Sequence, residues 1–82
     1  MNEEELNISI RKFLKMVGVS SQREIEHAIT GALRGGAITG TEIFPARMTL
    51  EIAGLHLKAE FEGEIRLEGR DAASARDGAG SV

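Results

Sequence analysis

The sequence predicts an α+β domain of order α–α–β–β, in which two N-terminal helices pack on a C-terminal antiparallel β-hairpin. Two observations support this class. In the first half of the chain, apolar residues recur at spacings of three and four, which places them on one helix face. In the second half, apolar and polar residues alternate, as in half-buried strands. The domain is predicted to cover residues 1–68, and residues 69–82, rich in Ala, Gly and Ser, to form a disordered tail.

The first predicted helix covers residues 3–17. Asn2 is a typical N-cap residue, and Glu5 follows it at capping-box spacing. The glutamates at positions 3 to 5 occupy the first turn, where the helix dipole favours negative charge. Gly18 is expected to end this helix in the left-handed conformation, which glycine adopts without steric cost.

The second predicted helix covers residues 21–34, with Ser21 and Glu24 as its capping box. Its apolar stripe repeats at i, i+3, i+4, i+7 and i+8 and consists of Ile25, Ala28, Ile29, Ala32 and Leu33. Gly31 is less favourable than Ala inside a helix by roughly 1 kcal/mol, so a close helix contact is expected there. Gly35 and Gly36 are expected to end the helix.

The β-hairpin is predicted from two alternating segments that meet at residues 53–54. A two-residue loop there pairs Ile52 with Leu55, but Ala-Gly is not a preferred turn dipeptide, and a four-residue loop of the same parity is the alternative. The polar pairs predicted by the shorter loop are Arg47 with Glu60 and Glu51 with His56. Pro45 suits an edge or a strand start, and Gly63 suggests a bulge or bend.

Residues that carry catalytic or metal chemistry are few. The chain has no Cys, which excludes disulfides, thiolate metal sites and cysteine nucleophiles. Its two histidines, His27 and His56, are not spaced as metal-ligand pairs and are interpreted as surface residues. The glutamates of the second strand are interpreted as a solvated face rather than paired acid–base groups. We therefore expect no enzyme activity, no cofactor and no metal.

The expected location is the cytoplasm. No apolar run approaches the roughly 18 residues of a membrane-spanning helix, so no membrane association is expected. The N-terminus opens with three glutamates, whereas a secretory signal begins with basic residues and a transit peptide is poor in acid.

A nucleic-acid-binding regulator of winged-helix-like type, reading its target through the second helix, is the alternative function. The residues of that helix suited to such a contact, or to any other surface contact, are Gln22, Arg23 and His27. Charge argues against nucleic acid, because residues 37–68 hold six acidic and three basic side chains and phosphate binding needs positive charge. A third helix, against which helix-turn-helix folds normally pack, is also absent from the predicted order.

The leading functional hypothesis is a non-catalytic binding or adaptor module that acts through protein–protein contacts with an unknown protein partner. A homodimer is also expected, because several apolar residues exceed what one small core can bury. These residues are Ile8, Met16, Ile38, Ile43 and Phe44. The two copies would associate by strand pairing into a four-stranded sheet or by helix packing.

Three stretches of the sequence resemble a family of small uncharacterised bacterial proteins, mainly proteobacterial, classed as a domain of unknown function. They are SIRKFLKMVGVSSQREIE, GTEIFPARMTLEIAGL and FEGEI, and the first is the most specific. The likeness spans residues 1–68. It implies a compact, bacterial, cytoplasmic domain and assigns no activity, cofactor, partner or residue role.

Overall fold

The computed structural model describes residues 1–69 and contains one long helix followed by a two-stranded antiparallel hairpin. The helix α1 covers Glu3–Arg34, strand β1 covers Ile43–Ile52, and strand β2 covers Leu57–Arg66, with a short 3₁₀ turn at Ala53–Leu55 between the strands. The chain divides into two compact units at residues 37 and 38, the helix and the hairpin, and each is described by itself. The α+β class is confirmed, and the prediction of two helices is wrong. The predicted tail lies, from residue 70 onward, outside the described residues.

Helix α1 runs without interruption through the predicted break at Gly18. Gly18 does not adopt a positive φ, and Ser21 and Glu24 lie within the helix instead of capping a new one. Ending one helix and starting another would leave up to four carbonyls and four N–H groups without helical partners. A glycine in a helix interior costs only about 1 kcal/mol, so continuing the helix is the less costly solution.

Both ends of α1 are capped as predicted. The Asn2 side-chain Oδ1 accepts a hydrogen bond from the Glu5 backbone N–H at 3.0 Å. At the other end, the Gly36 N–H donates to the Leu33 carbonyl at 3.1 Å and the Ala37 N–H donates to the Ala32 carbonyl at 2.9 Å. This pair of bonds is a Schellman motif, in which the residue after the cap is left-handed. Gly36 supplies that conformation with a φ of 78°.

The hairpin closes with the four-residue loop, because Ile52 pairs with Leu57. The shorter-loop prediction, Ile52 with Leu55, is wrong by two residues. A shift of two positions keeps every side chain on its predicted face, since side chains alternate along a strand. In the loop, the His56 N–H donates to the Ala53 carbonyl at 3.0 Å, and His56 is left-handed with a φ of 53°.

The observed register separates the hairpin into an apolar and a polar face. The pairs on the apolar face are Phe44–Ile65, Ala46–Gly63, Met48–Phe61, Leu50–Ala59 and Ile52–Leu57. The pairs on the polar face are Ile43–Arg66, Pro45–Glu64, Arg47–Glu62, Thr49–Glu60 and Glu51–Lys58. The polar pairs predicted by the shorter loop, Arg47 with Glu60 and Glu51 with His56, are therefore wrong. The register is continuous through Gly63, so the suggested bulge is not present in these strands.

Pro45 removes no hydrogen bond from the hairpin. The Leu67 N–H donates to the Glu42 carbonyl at 3.1 Å, which makes that pair hydrogen-bonded. Hydrogen-bonded and non-hydrogen-bonded pairs alternate along an antiparallel ladder, so Pro45 falls in a non-hydrogen-bonded pair. Its missing N–H therefore faces the outer edge of β1, as an edge position requires.

No side chain among residues 1–69 is buried. On the apolar face of the hairpin, the best protected side chains are only half-buried: Phe44, Ala46, Leu50, Ala59 and Ile65. Several helical apolar residues are about half exposed, for example Leu14 at 56%. The predicted packing of helix on hairpin stays a prediction. The fold thus presents two apolar surfaces, one on each unit.

Candidate interaction surfaces

The first surface is the apolar stripe of α1, here called the helix seam. Its first half consists of Leu6, Ile10, Phe13, Leu14, Val17 and Gly18, and its second half of Ser21, Ile25, Ala28, Ile29, Ala32 and Leu33. Each member of the second half lies 15 residues after its counterpart in the first. A repeat of 15 residues over four turns gives more residues per turn than the 3.6 of a straight α-helix. The seam therefore shifts gradually around the helix axis, in the direction that favours a right-handed crossing with a second helix.

The side of α1 opposite the seam is basic. It carries Lys12, Lys15, Arg23 and Arg34, with Arg11 at its border with the seam, and residues 6–23 contain no acidic side chain. Ile8 lies among these cations and forms a shallow depression with Arg11, Lys12 and Lys15. Ile8, Met16 and Val19 are each about half exposed on this side. Their long basic neighbours cover apolar surface with their methylene stems.

The three predicted contact residues, Gln22, Arg23 and His27, all lie exposed on α1. Arg23 and His27 are one helical turn apart and share a face. Gln22 points elsewhere, because its Nε2 donates to the Glu26 Oε2 at 3.0 Å. The helix therefore brings two of the three together. The turn that would separate a recognition helix from its predecessor is not present in α1.

The second surface is the apolar side of the hairpin, here called the hairpin face. It consists of Phe44, Ala46, Met48, Leu50, Ile52, Leu57, Ala59, Phe61, Gly63 and Ile65. Phe61 is 58% exposed at the middle of this face, opposite Met48. Strand alternation produces the face, because both strands carry their apolar residues on the same side. An aromatic ring at its centre is typical of a protein-binding patch.

The other side of the hairpin is charged. Two of its cross-strand pairs set opposite charges against each other, Arg47 against Glu62 and Glu51 against Lys58. Within β2, the Arg66 Nη2 lies 3.1 Å from the Glu64 Oε1, with both side chains about half exposed. A pair this exposed contributes little to stability. This side keeps the hairpin solvated rather than forming a site.

The loop before β1 contains the one carboxylate among residues 1–69 whose pKa is clearly shifted. The Glu42 Oε2 accepts the Thr39 N–H at 2.9 Å, and the Glu42 Oε1 accepts the Gly40 N–H at 2.9 Å. The Thr39 hydroxyl also donates to Oε2 at 3.2 Å. The backbone hydrogen bonds from Thr39 and Gly40 favour the charged form and lower the pKa of Glu42 from 4.5 to about 2.

The Glu42 cluster was not predicted from the sequence, although a signal for it exists. Thr39 and Glu42 have the Thr-x-x-Glu spacing of a capping box, but no helix follows them. The Thr39 N–H donates to the Glu42 carboxylate as in a capping box, but here this bond helps to close a loop. The carboxylate uses both oxygens internally, so this cluster holds the loop in shape and is not a binding site.

Residues 1–69 contain neither a metal-binding cluster nor a membrane-spanning helix. Within residues 1–69, no group of three or more His, Cys, Asp or Glu side chains is arranged to hold a metal ion. No helix in the same part of the chain combines the length and apolarity needed to cross a membrane.

Comparison with known proteins places the chain in a family. It belongs to the family of unknown function DUF6494, whose model matches residues 1–68 and so covers the helix and both strands. This confirms the resemblance to a domain of unknown function. Comparisons with curated proteins and with solved structures give no match.

Proposed function

We propose that this protein is a small, non-catalytic, cytoplasmic module that acts by binding another protein. The observation that carries the proposal is the exposure of the hairpin face, whose large side chains Met48, Ile52, Leu57 and Phe61 are 37–58% exposed. A contiguous exposed apolar patch rimmed by charged residues is characteristic of a protein–protein contact. A bacterial origin and homodimerisation are part of the same proposal.

The energetics support a contact at this face. Complete burial of one Leu, Ile, Met or Phe side chain is worth about 1.5–3 kcal/mol relative to exposure. A two-stranded hairpin is at best marginally stable alone, and a covered apolar face is what makes such a sheet persist. A partner on the hairpin face would therefore bind and stabilise the hairpin together.

Nucleic acid is disfavoured as the partner. The hairpin half of the chain is acidic, with six acidic and three basic residues between positions 37 and 68. Phosphate contacts dominate nucleic-acid affinity and require positive charge. The continuous helix also lacks the turn that a helix-turn-helix protein uses to present its recognition helix.

The proposal predicts that Phe61→Ala prevents capture of the protein partner. The experiment is affinity capture with the full chain from the organism that encodes it, quantified by mass spectrometry. Phe61 supplies the largest exposed ring of the hairpin face, so removing it should reduce recovery of specific partners about tenfold or more, as for a central interface residue.

Glu62→Ala is the matched control, because Glu62 is the next residue of β2 and lies on the polar face. It should leave partner recovery unchanged, with circular dichroism confirming that both variants keep their secondary structure. Absence of any specific partner would refute the proposal. Equal recovery by both variants would refute the hairpin face as the contact.

A further inference from the structure

We infer that the helix seam is covered by the seam of a second copy, with the two helices antiparallel and crossing near Gly18 and Ser21. This inference rests on the proposed function, since it names one partner of a binding module. In this arrangement the hairpin face remains available for the second partner, a different protein. Five features of the molecule support it: the length of the seam, its flanking residues, its small central residues, the ends of the helix and the edges of the hairpin.

The seam is too long for one hairpin to cover. From Leu6 to Leu33 it runs about 40 Å, at about 1.5 Å per helical residue. The hairpin face runs about 27 Å from Phe44 to Ile52, at about 3.4 Å per strand residue. Part of the seam therefore remains for another partner, and a second copy of this chain supplies a helix that can cross it.

The residues beside the seam suit an identical partner. A two-fold interface brings each flank against the same flank of the other copy, so a charged flank would repel itself. Between positions 6 and 23 most flanking residues are uncharged, namely Asn7, Ser9, Ser20 and Gln22, and the one charged residue beside the seam is Arg11, one helical turn after Asn7. The other basic residues of α1 lie on the opposite side and stay in solvent.

The centre of the seam is small. Gly18 and Ser21 lie at the middle of α1, between larger residues at Leu14 and Ile25. Among residues 1–69, no atom lies within 4 Å of a Cβ built on Gly18, so the space beside this glycine is open. Small residues where two helices cross allow their backbones to approach, and rows of side chains four apart interdigitate at a right-handed crossing. Gly31 lies away from the seam, and nothing in the structure explains it.

The helix ends favour the antiparallel arrangement. Glu3, Glu4 and Glu5 fill the first turn of α1. A parallel pair would bring two such acidic turns, and two equal ends of the helix dipole, to the same side of the crossing. An antiparallel pair separates them by most of the helix length.

The hairpin edges disfavour the other route to a dimer, a four-stranded sheet. The outer edge of β2 presents Lys58, Glu60, Glu62, Glu64 and Arg66. Symmetric antiparallel pairing about Glu62 would set that residue against itself, Glu60 against Glu64 and Lys58 against Arg66. Like charges directly opposite destabilise a strand pair.

The outer edge of β1 lacks a donor at Pro45, which removes a hydrogen bond from any strand added there. The like charges on the edge of β2 and Pro45 on the edge of β1 thus both oppose strand pairing. Of the two expected routes to a homodimer, strand pairing and helix packing, helix packing at the seam is the one that remains.

The first test compares Leu14→Gln with Val19→Gln in the full chain, by sedimentation equilibrium at micromolar concentrations. The two residues are equally suited to the comparison, because Leu14 is 56% exposed on the seam and Val19 is 50% exposed on the opposite side. Leu14→Gln should raise the dimer dissociation constant about tenfold or more, and Val19→Gln should change it by less than about threefold. A monomeric parent protein, or equal effects of both variants, overturns the inference.

The second test measures helix orientation and does not depend on a destabilising variant. The chain has no Cys, so Glu4→Cys provides one unique site for a spin label. In the antiparallel dimer the two labels should lie about 40–50 Å apart, against about 20–25 Å for a parallel pair. The shorter distance overturns the antiparallel arrangement.

The two proposals fail separately. A monomeric mass combined with a partner that Phe61→Ala releases would refute the seam dimer and the proposed homodimerisation, and would leave the binding of another protein at the hairpin face standing. A seam dimer that captures no other protein through the hairpin face would refute the binding module and leave the seam dimer standing.

Discussion

At the scale of single residues, Glu42 is the side chain whose chemistry the fold changes most. Its carboxylate closes a loop by accepting two backbone N–H groups and a hydroxyl. These bonds exist only in the folded loop, so the pKa of Glu42 is lowered there and not in the unfolded chain. The cluster ties residues 39–42 together directly before β1 begins.

We predict that Glu42 titrates with a midpoint at about pH 2, when its side-chain carboxyl is followed by carbon NMR. The unfolded chain binds this proton at higher pH, so the contribution of Glu42 to stability is complete above about pH 4.5 and declines as the pH falls toward about 2. Glu42→Gln is the control and should lack this pH-dependent part. A midpoint near 4.5 would contradict the hydrogen-bonded loop.

At the scale of elements, the hairpin loop depends on one left-handed residue that is not glycine. His56 has a φ of 53°, whereas Gly54 in the same loop has no positive φ. The left-handed conformation is costly for residues with a Cβ and most costly for β-branched ones. The loop therefore holds local strain at His56.

We predict opposite effects for two substitutions at this position. His56→Gly should stabilise the hairpin by up to about 1 kcal/mol, and His56→Val should destabilise it by about 1–2 kcal/mol. His56→Asn, which tolerates the same conformation, should change stability by only a few tenths of a kcal/mol. Denaturant unfolding followed through NMR signals of the strands measures all three, and a Val variant as stable as the parent would contradict the loop conformation.

The hairpin and helix α1 show how far the sequence could predict the fold. The strand faces were predicted correctly because alternation constrains both strands at once, and a shift of two residues preserves it. The sequence does not decide between a two-residue and a four-residue loop. The left-handed residue of the loop is a histidine, and not the glycine or asparagine that usually marks such a position.

For α1, Gly18 and Ser21 carry true helix-end signals, yet the choice between a break and a continuous helix depends on backbone hydrogen bonds that a local pattern does not reveal. Among the candidate contact residues Gln22, Arg23 and His27, only Arg23 and His27 are one helical turn apart, because spacing fixes position on a helix. The hydrogen bond from Gln22 to Glu26 was not predicted, although its spacing of four residues permits it.

At the scale of the whole molecule, the absence of any buried side chain within residues 1–69 dominates the energetics. A chain this short buries little surface even when compact, and small domains commonly depend on association for stability. A long helix is stabilised in proteins mainly by packing of its apolar face rather than by intrinsic propensity. We therefore expect folding and association of this protein to be a single event.

Thermal unfolding at several protein concentrations tests this claim most directly, with the helix signal at 222 nm as the readout. Association that stabilises the folded state makes the midpoint depend on concentration. We predict that the midpoint rises by several degrees between about 1 and 100 μM, and that Leu14→Gln lowers it at every concentration. A midpoint and helix signal that stay constant over this range would contradict the account.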